Sequence, residues 1–127
     1  MDATSEIAYR YYRDLESALH DAGHTIYLES VTGYDGSVAL VVFSVGTDLS
    51  CDRWAEEYSS VQFSIFSDGS KVTRIEYPTI VYHPSTQDEL VYKLQQELNE
   101  IIDKTPASPG VFARILAGQF RRLGFKK

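Results

Sequence analysis

Cysteine is almost absent from this chain. Cys51 is the only one in 127 residues, which excludes an internal disulfide and any zinc site built from several thiolates. Imidazoles are scarce as well, with only His20, His24 and His83. The longest strongly apolar run, Val38 to Phe43, falls far short of the roughly 20 residues that cross a bilayer. The opening MDATSEIAYR has neither a basic leader nor the apolar segment of a secretory signal, so a cytoplasmic protein without a membrane span is expected. Glycine-rich phosphate loops, dinucleotide fingerprints and a GxSxG elbow are missing too. Nucleotide cofactors and serine hydrolysis thereby lose their usual signatures, and no cofactor is expected.

What is present belongs to a packed protein. Hydrophobic residues make up 43% of the chain, charged ones 24% and aromatic ones 13%, enough to build a core in one domain over residues 1–127 without metals or staples. The net charge of −6 is uneven: Val111 to Lys127 carries +5 with no acid, which leaves −11 on the remainder. An acidic body repels polyphosphate backbones and favours basic partners.

The stretch YRYYRDLE, Tyr9 to Glu16, reads either as a base-stacking platform or as one stripe of a core helix. Apolar residues at Ala8, Tyr11, Tyr12, Leu15, Ala18, Leu19 and Ala22 recur in steps of three and four, which predicts a helix over about Ser5 to Ala22. Thr4 or Ser5 is the expected cap, and Gly23 the left-handed terminator. Arg10, Arg13, Asp14, Ser17 and Asp21 fall on the other side, mixing both charges where a nucleic-acid groove needs one. The rings are therefore assigned to the core, with Tyr9 the exposed exception.

Two hairpins follow. HTIYLESVT and VALVVFSV are joined by GYDGS, and VQFSIFS leads through Asp68-Gly69 into SKVTRIEY. The doubly apolar Leu40 to Phe43 predicts a central strand covered on both sides. Pro78 interrupts the fourth strand, with TIVYHP either continuing it at an edge or forming a fifth. CDRWAEEYSS, Cys51 to Ser60, is read as a short helical turn capped by Asp52. Thr86 and Glu89 form a capping box for a helix running to about Lys104, residues 105–110 make a short linker, and Ser108-Pro109 starts a last helix carrying Phe112, Ile115, Leu116, Phe120 and Leu123. The expected fold is α+β: an antiparallel sheet of four to five strands in two hairpins, with one N-terminal and two C-terminal helices.

Chemistry is harder to find. His20 and His24 have the spacing of a helical metal pair, but Gly23 intervenes and no HExxH or thiolate set completes it, so no metal is expected. Cys51 as a nucleophile needs an imidazole nearby in space, and the adjacent Asp52 raises rather than lowers its pKa. Asp48, Asp52, Glu56 and Glu57 are explained by capping and solvation. No catalytic residue is assigned.

Two charged surfaces are candidate binding sites. Glu97, Glu100 and Asp103 form an acidic helix face suited to a basic partner, while Arg114, Arg121 and Arg122 make the last helix both amphipathic and basic. The uses that compete for that helix are docking on its own body, gripping an anionic partner or membrane surface, and exchange within a homodimer.

The element order and acidity resemble those of small α+β proteins of the type III secretion chaperone class and of toxin-neutralising immunity proteins. The likeness covers topology and charge, without a shared motif, and implies a non-catalytic binding protein; no residue is carried over from it. The leading expectation is a protein-interaction module, of adaptor, chaperone or inhibitor type, binding through an acidic surface or a sheet edge. The alternatives are a small enzyme with a Cys/His pocket and a weak nucleic-acid binder using the last helix, Lys126, Lys127 and Tyr9.

Overall fold

Asp2, rather than Thr4 or Ser5, starts the first helix: its carboxylate accepts the Ser5 N–H at 2.7 Å, leaving Thr4 and Ser5 inside the first turn and buried. The computed structural model describes residues 2–47, 57–82, 96 and 107–122. Their order is α1 (Ala3–Asp21), β1 (Ile26–Tyr34), β2 (Val38–Thr47), β3 (Glu57–Ser67), β4 (Val72–Tyr82) and α2 (Pro109–Arg122). This is an α+β fold with a four-stranded antiparallel sheet, order β1-β2-β3-β4, and a helix at either end of the chain. The helix expected over Thr86 to Lys104 lies outside the described residues apart from Gln96, which is helical. Cys51, Trp54 and His83 lie outside them too.

The termination of α1 follows the sequence signal. Gly23 adopts φ 87°; its N–H donates to the His20 carbonyl at 2.9 Å and that of His24 to Leu19 at 2.8 Å. This pair of bonds is a Schellman closure, and it needs the left-handed residue glycine supplies. On the wheel, Ala8, Tyr11, Tyr12, Leu15 and Leu19 are buried, while Arg10, Arg13, Asp14, Ser17 and Asp21 are exposed. YRYYRDLE is thus a core helix with a charged outer face. Tyr9 is half-buried rather than free, with the Arg13 guanidinium 5.4 Å from its ring centre.

Both hairpins turn where Asp-Gly predicts. Asp35 and Gly36 have φ of 53° and 71°, and the Ser37 N–H donates to the Tyr34 carbonyl at 3.2 Å. In the second turn Asp68 Oδ1 accepts from the Ser70 N–H, the Ser70 hydroxyl and the Lys71 N–H at 3.0, 2.9 and 3.0 Å.

Two expectations fail at the ends of the second hairpin. Glu57 to Ser60 are strand rather than helical turn, because they continue the β2 ladder as Gly46↔Tyr58 and Ser44↔Ser60. Ladder hydrogen bonds outweigh the weak local helical signal of that segment. Pro78 does not interrupt β4, which runs through it to Tyr82. The pairing with β3 jumps from Gln62↔Thr79 to Ser64↔Glu76, so the proline sits in an irregularity on an edge strand, where a missing N–H is tolerated.

Both helices pack on one side of the sheet. Ala39, Val41, Phe43 and Val45 of β2 and Val61 and Ile65 of β3 are fully buried there. Ring edges link the layers: Phe43 lies 5.9 Å from Tyr12, 6.1 Å from Phe63 and 6.4 Å from Phe120, centre to centre. Phe112 meets Phe63 at 5.0 Å and Tyr11 at 5.4 Å. Each buried Phe contributes roughly 1.5–3 kcal/mol, so α2 is part of the core. The other face of β2, Leu40 and Val42, is half-buried, and no described helix lies on it.

Candidate functional site

Strand pairing sorts the sheet residues into two faces, because directly opposed residues share a face. The rows Tyr27–Ser44–Ser60, Ser30–Val42–Gln62, Thr32–Leu40–Ser64 and Tyr34–Val38–Phe66 cross the sheet on the side away from both helices. Arg74 and Glu76 of β4 extend the last two rows. Tyr27 and Tyr34 are 55% and 52% exposed, and no described helix covers this face.

The open face is nearly neutral. Arg74 pairs with Glu76 and stacks 4.9 Å from the Phe66 ring centre. Glu29, at the bulge between Leu28 and Ser30, accepts the Ser44 hydroxyl at 2.6 Å. The Tyr27 and Tyr58 rings meet at 5.7 Å. The remaining groups are aliphatic side chains, hydroxyls and one amide. Among the described residues this face presents aliphatic surface and hydrogen-bonding groups.

The sheet's two edges differ. β4 carries Pro78 and three register irregularities against β3, devices that discourage further strand pairing. β1 has one bulge, at Glu29, and is otherwise regular. Beside it, Leu28 and Val31 are half-buried against the core, whereas Tyr27, Ser30 and Thr32 are exposed.

Two grooves flank α1. The larger, about 350 Å³, lies between α1, the β3–β4 turn and the start of α2, with Glu6, Arg10, Lys71 and Pro109 at its rim. The other, about 340 Å³, spreads over Glu6, Tyr9, Arg10 and Arg13 on the outside of the helix. Neither is lined by an imidazole or a thiol.

Of the predicted site residues, only Arg114 and Arg121 have described side chains. Arg114 and Arg121 are exposed on α2, two turns apart with the exposed Gly118 between them, and so form a basic ridge. Arg122 ends the same helix. Glu97, Glu100 and Asp103 lie outside the described residues. His20 is exposed in the last turn of α1, while His24, beyond the Schellman closure, is buried; the helix does not carry both rings. Among the described residues no three of His, Cys, Asp and Glu are grouped to hold a metal ion. No described helix is long and apolar enough to cross a membrane.

Among the described residues, perturbed ionisation is found at structural groups. The backbone N–H of Lys71, with those of Ser70 and the Ser70 hydroxyl, holds the Asp68 carboxyl down at about 2. The Ser5 N–H lowers Asp2 in the same way. Burial pushes the Tyr11 and Tyr12 hydroxyls upward, and for Tyr12 the Glu16 carboxylate one turn on adds to it. None of these groups is poised for acid–base work near neutrality.

Sequence reasoning missed the open face because alternation along β2 and β3 is weak. Val38, Leu40 and Val42 are as apolar as the buried Val41 and Phe43, so composition alone does not show which side the helices take. The hydroxyl-rich even positions of β3, Ser60, Gln62 and Ser64, were the available signal. Comparison of the chain with known protein families, with curated proteins and with solved structures finds no match.

Proposed function

We propose that this protein is a non-enzymatic interaction module that binds an extended segment of another protein along β1. The inequality of the two sheet edges carries the reading: β4 is protected by Pro78 and its irregular pairing, and β1 has a single bulge. An edge strand offers unpaired N–H and C=O groups, and a strand added beside it satisfies them. Leu28 and Val31 on one side and Tyr27, Ser30 and Thr32 on the other ask for a segment that alternates apolar and polar residues. Such binding fits an adaptor, chaperone or inhibitor, and it needs no catalytic set.

Hydrogen exchange tests this. In the free protein the outward amides of β1 exchange rapidly; with a partner isolated from extract of its own cells, amides between Ile26 and Tyr34 become protected. A partner that leaves β1 exchange unchanged while protecting the region of Glu97, Glu100 and Asp103 moves the binding site to the acidic surface and ends the edge reading.

The basic ridge of Arg114 and Arg121 favours a second reading, an anionic partner held by α2. Binding of that kind weakens steeply with salt. Replacing both arginines by glutamine abolishes it without touching the β1 site.

A further inference from the structure

The open face of the sheet has a different character from β1 and from the chain as a whole, and we propose that it pairs with the same face of a second copy to form a two-fold dimer. Three observations select that occupant.

The first is charge. The chain carries −6 overall, so two copies repel through most orientations. On the open face Arg74 is matched by Glu76 within one copy, and Glu29, at the β1 flank, keeps its charge while accepting the Ser44 hydroxyl. Two such faces bring far less like charge together than the acidic body does, with the Glu29 carboxylates confined to the flank.

The second is hydrogen-bonding character. In a two-fold interface a patch must be complementary to itself. A carboxylate or an ammonium group is not, because one only accepts and the other only donates. Hydroxyls and amides do both. Thr32, Ser64 and Gln62 alternate with Leu40 and Val42 at the centre of the face, so each polar group finds a partner in its own kind while the aliphatic side chains meet one another. Tyr27 and Tyr34, more than half exposed at the flank, are of the residue type enriched at such interfaces.

The third is size. Strands of 9 to 11 residues in a four-stranded sheet span about 650 Å² of flat face, taking roughly 3.4 Å per residue and 4.8 Å per strand. Side chains add relief to that area, bringing it near the roughly 800 Å² each partner gives to a standard interface. A face-to-face dimer leaves the backbone groups of the β1 edge free, although Tyr27, Ser30 and Thr32 border both surfaces.

Light scattering coupled to gel filtration tests the dimer on the full chain. From micromolar to hundreds of micromolar, wild type is expected to rise from the monomer mass toward twice that mass. Val42→Glu, at the centre of the face, and Tyr34→Glu, at its exposed flank, should each weaken association by about tenfold or more through like-charge juxtaposition. Circular dichroism identifies variants that stay folded, and Tyr34→Glu replaces a side chain already in solvent. Mixing Val42→Glu with Val42→Lys, or Tyr34→Glu with Tyr34→Lys, should restore the dimer as a heterodimer. A wild type that stays monomeric over the whole range overturns the proposal. So does a dimer that folded Val42→Glu and Tyr34→Glu leave unchanged. Protection of β1 by another protein is read separately, so failure of either surface does not decide the other.

Discussion

Tyr11 and Tyr12 are adjacent, equally buried and both edge-packed on a phenylalanine, yet removing their hydroxyls should have opposite effects. Tyr11 donates to the Ala107 carbonyl at 2.5 Å, tying α1 to the residues that lead into α2. The Tyr12 hydroxyl is enclosed with no partner at full hydrogen-bond geometry; burial first, then hydrogen bonding toward the Glu16 carboxylate and its charge, raise the Tyr12 pKa. Tyr11→Phe keeps the ring against Phe112 and loses the bond, leaving a carbonyl unsatisfied at a cost of about 1–2 kcal/mol. For a chain of this size that is a fall of roughly 3–8 °C in Tm. Tyr12→Phe keeps the ring against Phe43 and removes a polar group that was desolvated without full compensation, so stability should be unchanged or higher by about 1 kcal/mol.

The same pair predicts an alkaline limit. Burial raises both pKa values above the ordinary 10.0, so the folded state holds these protons more tightly than the unfolded chain. Their contribution is complete below pH 10 and is lost as pH climbs from there toward the folded values. Each tyrosine removes about 1.4 kcal/mol per pH unit in that window. Urea unfolding of wild type and both single variants at pH 7 and pH 10.5, monitored by far-ultraviolet circular dichroism, separates the two effects. Each phenylalanine variant should show a shallower alkaline loss than wild type, and only Tyr11→Phe should be weaker at pH 7. Equal destabilisation of the two variants at neutral pH would refute the assignment of one bonded and one orphaned hydroxyl.

Further expectations concern the turns, the last helix and the cap. Asp68→Asn should lower Tm at neutral pH, and because the wild-type carboxyl is held at about 2 against an ordinary 3.8, the gap between variant and wild type should close as pH falls through that interval; a constant gap would mean that its charge is immaterial. Phe120→Ala should cost about 3–5 kcal/mol in urea unfolding, since its fully buried ring packs on Phe43; a loss below about 1 kcal/mol would show that α2 is dispensable to the core. At Gly33 a Cβ would come within 2.5 Å of Asp2 Oδ2 and 2.8 Å of the Ser5 hydroxyl, so Gly33→Ala should displace the cap of α1 and cost on the order of 1 kcal/mol. That cost should shrink in an Asp2→Ala background, as a double-mutant cycle on Tm would record.

Much of this architecture was readable in one dimension, and the reasons are local. The i, i+3, i+4 recurrence of Ala8, Tyr11, Leu15 and Leu19 decides which face of α1 is buried wherever the helix docks. Gly23 and the two Asp-Gly pairs place the chain reversals because positive φ is costly for other residues. The helical turn expected over Cys51 to Ser60 fails at Glu57 to Ser60, its described part, because strand pairing comes from a distant segment, β2, whose influence no short window contains. Pro78 misled for the same reason: whether a missing N–H matters depends on the strand being an edge, and edges exist only once the sheet is ordered.

The candidate surfaces divide along that line. Sequence alone established an acidic chain with a basic tail, a ring-bearing core helix, two hairpins and no recognisable catalytic motif. Tertiary structure decided that both described helices take one side of the sheet, that His20 and His24 part company, and that β1 and β4 are its edges. The physical reason is that propensity, turn chemistry and amphipathic period act within a few residues. Face, edge and convergence are properties of contacts between residues far apart in the chain.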